Sequence, residues 1–227
     1  MRNLDKRKGF TLAEVLITLM IIGILAVITI PSLIQTYQER ETVTKLKKTY
    51  SVLQQAYKLA EIENGTPTSW GLTTLKTIDK MKPYLNIIKD CSASSVNSGC
   101  MEPVKYMNSD NVHTPSFYEN FILADNVSIG LRPPSTYPDC KNVSSNFGSS
   151  EICSQIYVDI NGLKGPNKFG TDVFLFALTD KGIIFAGGPA TKNFYCMTTS
   201  SQGYDCAGWI ILRGNMNYLR ENIYDKY

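Results

Sequence analysis

From Phe10 to Ile30 the chain runs 21 residues without a lysine, arginine, aspartate, asparagine or glutamine, and Glu14 is the single charge within the run. A helix over that stretch is roughly 30 Å long, the thickness of a bilayer's hydrocarbon core. A segment so apolar has to be covered by lipid or by other chains. Ahead of it stand Arg2, Lys6, Arg7 and Lys8 against Asp5, and because Lys and Arg resist translocation, the N-terminus is expected in the cytoplasm and the rest of the chain outside it. An ordinary secretory signal closes its apolar stretch with a small-x-small cleavage site. Here the stretch closes with Ala26-Val27-Ile28-Thr29-Ile30-Pro31, so cleavage after the run is not expected.

The formal net charge is +3, and the basic leader accounts for all of it. The remainder is balanced, which argues against the positive field that draws a whole fold onto nucleic acid. With 43% hydrophobic and 19% charged residues, the chain has the make-up of a folded protein rather than a disordered one. Its six cysteines, at 91, 100, 140, 153, 196 and 206, all lie beyond the apolar run. An even number there points to disulfides and an oxidising compartment; six reduced core thiols are the alternative. Six cysteines allow fifteen connectivities. Nearest neighbours, Cys91 with Cys100, Cys140 with Cys153 and Cys196 with Cys206, are the expected pairs, because each brackets a polar loop and none has to cross a sheet. Closing a loop of that size is worth about 3 kcal/mol in the chain-entropy account.

The run Lys8-Gly9-Phe10-Thr11-Leu12-Ala13-Glu14-Val15-Leu16-Ile17 closely resembles the class III signal of type IV pilins and type II secretion pseudopilins. The resemblance continues through Gly23 and Pro31, and departs at Ala13, where a bulkier aliphatic residue is common. It implies that a membrane prepilin peptidase cuts between Gly9 and Phe10 and methylates the new amine, making Glu14 the fifth residue of the mature chain. It also implies assembly with other copies or related subunits into a helical fibre.

Independently of that resemblance, a carboxylate inside a membrane helix costs on the order of 2.5 to 3.5 kcal/mol even on insertion scales. Such a group calls for a partner. Once Phe10 is the terminus, its amine is a positive charge that the Glu14 of a neighbouring subunit can meet in a staggered stack. The plainer reading is that Glu14 snorkels or protonates near the interface.

After Pro31 the pattern turns amphipathic. Val43, Leu46, Tyr50, Leu53, Tyr57 and Ala60 recur at steps of three and four, with Glu39, Arg40, Lys47, Lys48 and Lys58 between them, which predicts one apolar stripe on a helix. Asn64-Gly65 is a left-handed terminator. One helix is therefore expected over 10–63, its part at 10–30 in the membrane, with bends at Gly23 and Pro31. It follows a leader at 1–9 and precedes an extracytoplasmic head at 64–227. Within the head, Leu72 to Ile88 reads as one or two short helices. Phe121–Ala124 and Val127–Leu131 flank Asp125-Asn126 as a hairpin, as do Val173–Leu178 and Ile183–Ala186 around Thr179 to Gly182, and Ile152–Ile160 alternates as a strand. The expected class is α+β: a long N-terminal helix across a small antiparallel sheet of four or five strands, a pilin-like head with disulfide-bounded loops.

One loop has the composition for chemistry. Asp159-Ile160-Asn161-Gly162 opens a turn-rich stretch that closes at Asp172, and oxygen side chains among glycine turns are how a chain wraps Ca²⁺. Asp159, Asn161 and Asp172 are the candidate ligands. The stretch lacks the closing glutamate of an EF-hand and carries Lys164 and Lys168, and a rigid turn in which the same side chains bind backbone amides is the competing account. No catalytic residue is expected: His113, the single histidine, is read as a loop residue without a nucleophile motif. Gly187-Gly188-Pro189 lacks what a phosphate site needs, and Trp209 is read as core.

These readings converge on a structural, non-enzymatic subunit of a type IV pilus or type II secretion pseudopilus. It would sit in the bacterial inner membrane before assembly and in a surface pilus or periplasmic pseudopilus after it. The alternative is a minor pilin that acts in adhesion or DNA uptake through its head.

Overall fold

The computed structural model describes residues 9–72, 78–91, 99–114, 119–132, 140–148, 150–188, 196 and 202–221. The charged leader, Phe117, Pro189 and part of the expected helical stretch after Leu72 lie outside them. Helix α1 spans Leu12–Asn64, 53 residues, and passes through Gly23 and Pro31 without a break. Proline removes one backbone donor there, and the hydroxyls of Thr29, Ser32 and Thr36 each donate to a carbonyl three or four residues back. The helix stops at Gly65, where φ is +76° and the amide closes on the Glu61 carbonyl at 2.9 Å. A left-handed residue after the last turn is what glycine allows at little cost.

The chain divides into two compact units, Met1–Glu41 and Thr42–Tyr227. Among its described residues the second contains ten strands: β1 (Ile87–Asp90), β2 (Val104–Lys105), β3 (Val112–His113), β4 (Glu119–Leu123), β5 (Ser128–Arg132), β6 (Asn142–Val143), β7 (Glu151–Ile152), β8 (Ser154–Asp159), β9 (Val173–Thr179) and β10 (Gly182–Phe185). Six of them form one antiparallel sheet in the order β1-β4-β5-β8-β9-β10. The pairs β2-β3 and β6-β7 are separate ribbons. Helix α2 (Cys206–Arg213) ends at Gly214 in the left-handed conformation.

The expected α+β class is the observed one, and both expected hairpins are present, as β4-β5 and β9-β10. The sheet has six strands instead of four or five because Ile87–Asp90, read as the end of a helical stretch, pairs with β4 as an edge strand. Among the described residues of that stretch, a short 3-10 turn at Lys82–Tyr84 precedes it.

Packing of α1 on the sheet follows the stripe, and α1 also buries Thr42, Thr49 and Ala56 beside it. Tyr50 stacks on Phe176 with ring centres 5.8 Å apart and meets Phe185 edge-on. Gln54 serves the outermost strand: its Nε2 donates to the Ile183 carbonyl at 2.6 Å, and the Ile183 amide donates to its Oε1 at 3.3 Å. Such bonds satisfy an edge that would otherwise present unpaired backbone groups.

The sheet is covered on both faces. Ile129, Ile156, Val158, Phe174 and Phe176 join the core under α1 and α2. On the other face, Tyr157, Val173 and Leu175 pack with Met101, Val104, Phe147 and Phe169. The alternation along β8 therefore separates two interiors instead of an inside from an outside. His113 belongs to the second face, on β3 rather than in a loop. Its ring lies parallel to that of Tyr157 at 6.1 Å, and Tyr106 Oη is 3.2 Å from its Nδ1. Burial, with a smaller contribution from the Arg132 charge, holds its pKa below the usual histidine value.

Candidate functional site

Gly9 and Phe10 stand outside the helix, and Phe10 is 88% exposed. The bond between them is therefore outside the helix and exposed. The helix begins two residues later on a reciprocal cap. The Glu14 amide donates to Thr11 Oγ1 at 3.2 Å, while the Thr11 amide and hydroxyl both donate to Glu14 Oε2 at 2.8 Å. Two donors that a helix start leaves unpaired are satisfied in this way. Thr11 was not among the residues picked out from the sequence, although Thr-x-x-Glu ahead of an apolar run is the signal for this arrangement.

Beyond the cap, Leu12, Leu16, Ile17, Leu19, Met20, Ile21, Ile22, Val27 and Ile28 are all more than half exposed. Consecutive positions point around the whole helix, so the apolar surface is a sleeve and not a stripe. A sleeve belongs to a helix enclosed on every side, by lipid or by neighbours of the same kind. The helix is long and apolar enough to cross a membrane.

Three disulfides join Cys91 to Cys100, Cys140 to Cys153 and Cys196 to Cys206, and no described cysteine is free. Each closes a segment local in sequence.

The loop after β8 brings Asp159, Asn161 and Asp172 together. Asp172 organises it: its Oδ1 accepts from the Lys168 amide at 2.6 Å, and its Oδ2 from the Asn167 amide at 2.9 Å and from Asn161 Nδ2 at 3.2 Å. Asp159 Oδ1 accepts from the Asn161 amide at 3.2 Å. Both carboxylates are almost fully enclosed, 1% and 3% exposed. Burial pushes both pKa values up, and with the nearby Asp172 charge it takes Asp159 to about 8. Among the described residues no three His, Cys, Asp or Glu side chains gather as a metal cluster. The loop's remaining side-chain oxygens are the carboxamides of Asn161 and Asn167 and the hydroxyl of Thr171.

Residues 4–30 match the model of the prokaryotic N-terminal methylation motif. The segment is accordingly a class III signal of the pilin and pseudopilin kind, and the protein is a pilin-like precursor. Over residues 32–187, more than half of its length, it matches a second model and belongs to that family, a family of unknown function (DUF6613). The two matches meet at Pro31. No curated protein and no solved structure matches the chain.

Proposed function

We propose that the protein is a structural subunit of a type IV pilus or type II secretion pseudopilus. In this reading prepilin peptidase cuts between Gly9 and Phe10 and methylates the Phe10 amine. The subunit waits in the inner membrane with its head outside the cytoplasm, then packs through α1 with other copies or related subunits. The single observation that carries the reading is the apolar sleeve beginning at Leu12 with one acid, Glu14, at the fifth position after the cut. An enclosed carboxylate needs a positive partner, and the amine released at Phe10 of a neighbour supplies one at a fixed axial offset. Glu14 thereby sets register. Three disulfides in the head support an oxidising compartment for it.

Peptide mass spectrometry on the protein expressed with and without prepilin peptidase tests the proposal. The expected product begins at methylated Phe10 only when the peptidase is present. A Met1 terminus under both conditions overturns it and leaves a membrane-anchored head domain.

A further inference from the structure

The ribbon on the second face of the sheet has two strands that are held in different ways. Strand β2 is tied through its backbone: the Lys105 amide donates to the Asn167 carbonyl at 2.8 Å, the Phe169 amide donates to the Lys105 carbonyl at 3.0 Å, and just beyond the strand the Met107 amide donates to the Gln202 carbonyl at 3.1 Å. Strand β3 has no such tie among the described residues. It pairs with β2, Val112 is half exposed, and β3 is seated by the His113 ring, which lies against the rings of Tyr106, Tyr157, Phe169 and Tyr204. A two-residue strand held by one side chain is the kind of element that opens locally while the rest of a fold stays shut.

That ring is set in a run of hydroxyls that suits its neutral form. Tyr106 Oη is 3.2 Å from Nδ1 and Tyr157 Oη is 3.5 Å from Nε2, while Tyr157 donates to Gln155 Oε1 at 3.4 Å. With the Tyr157 proton committed to Gln155, Nε2 is the donor to Tyr157 and Nδ1 accepts from Tyr106, whose oxygen accepts from Tyr204. Each group thus donates in the same direction along the run. Protonating Nδ1 places a second hydrogen between it and Tyr106 Oη. The titratable and charged groups that face the ring are Tyr106 from the ribbon, Arg132 from β5, Tyr157 from β8 and Tyr204 ahead of α2, so the added charge meets a guanidinium and no carboxylate. Asp110, before β3, pairs with Lys105 at 3.6 Å, and among the described residues His113 has no ion pair. A charge taken up in such a place is costly without a counter-charge.

We propose that His113 is an acid-released latch: its protonation frees β3 and the turn before it from the second face of the sheet, leaves β2 and the six-stranded sheet in place, and uncovers the rings of Tyr157 and Phe169. Both rings are buried in the closed form, 2% and 0% exposed. Once released, the imidazole regains water and the ordinary histidine pKa, and the proton it holds there pulls the equilibrium toward the open form. With the open ring at about 6.5 and the closed ring still neutral, the opening constant rises roughly 25-fold between pH 7 and pH 5.

The test is hydrogen exchange read by mass spectrometry on the full-length protein in detergent, at pH 7 and pH 5 and corrected for intrinsic rates. Protection of peptides covering 106–114 should fall by at least about tenfold at pH 5, while β8 and β9 keep theirs. His113→Phe retains a ring against Tyr157 but takes up no proton, and should show the same protection at both pH values. Arg132→Gln removes the neighbouring charge, which should move the titration midpoint of the chain's single histidine upward in an NMR titration and shrink the loss at pH 5. That second variant keeps the latch testable where His113→Phe fails to fold. Unchanged protection in the parent overturns the proposal, as does an equal loss in His113→Phe, a loss that β8 and β9 share, or a histidine midpoint that Arg132→Gln does not raise.

Discussion

Residues up to Glu41 and residues from Thr42 onward use apolar side chains in opposite ways. In the first unit Leu, Ile, Met and Val cover the helix on every side and stay exposed; in the second, side chains of the same types vanish into two cores on either face of one sheet. Hydrophobicity alone does not separate the two. Pattern does: a stripe at steps of three and four supplies one face to bury, whereas an unbroken run supplies none and leaves the burial to be completed by other molecules. The first unit thus leaves its apolar surface to be covered by lipid or by other chains, and the second is finished by its own chain.

Substitutions in the two units should consequently fail in different assays. The largest expected effect is that of Glu14→Ala, which should abolish fibre formation while leaving insertion, cleavage and the melting of the head unchanged. Wild-type fibre yield in a shearing and pelleting assay would end the register argument. Leu53→Ala, in a fully buried position on α1, should do the reverse. It should lower head stability by about 2 to 5 kcal/mol, read from denaturant midpoints, with processing at Gly9 untouched. Replacing Cys91 and Cys100 together by serine removes one loop closure and should cost about 2 to 3 kcal/mol, seen as a lower Tm that reducing agent no longer shifts through that pair.

The smallest effect concerns His113. Its folded pKa lies below the ordinary 6.5, so above that value both folded and unfolded chains hold it neutral and it adds no pH dependence. As pH falls through 6.5 the unfolded chain takes up the proton first, and stability declines until the folded form also protonates. His113→Phe should flatten that part of the pH profile. An unchanged slope would show that other groups produce it.

The α1 stripe and the two hairpins were legible because each is a local pattern: a 3.6-residue period, and an Asp-Asn or Asp-Lys turn between apolar runs. The strand Ile87–Asp90 was not. Its residues Ile-Ile-Lys-Asp have no period of their own, and pairing with β4 decides their conformation. The second core was hidden for a related reason, since Tyr106, His113, Tyr157, Phe169 and Tyr204 are scattered in sequence and meet only after folding. At the N-terminus Gly9, Phe10 and Glu14 could be read off their fixed spacing. Thr11 is less legible, because its part is a local hydrogen-bonded cap with Glu14 three residues on, whereas the membrane cost of Glu14 by itself points to a partner of opposite charge.

The separations of the bonded cysteines, 9, 13 and 10 residues, have a consequence for wear. A protease that severs the backbone once between the members of any pair leaves the two fragments tied through sulfur. A nicked subunit would run as one species on a non-reducing gel and fall into two only when thiol is added. Damage of that kind would not by itself release any part of the head from the helix that anchors it.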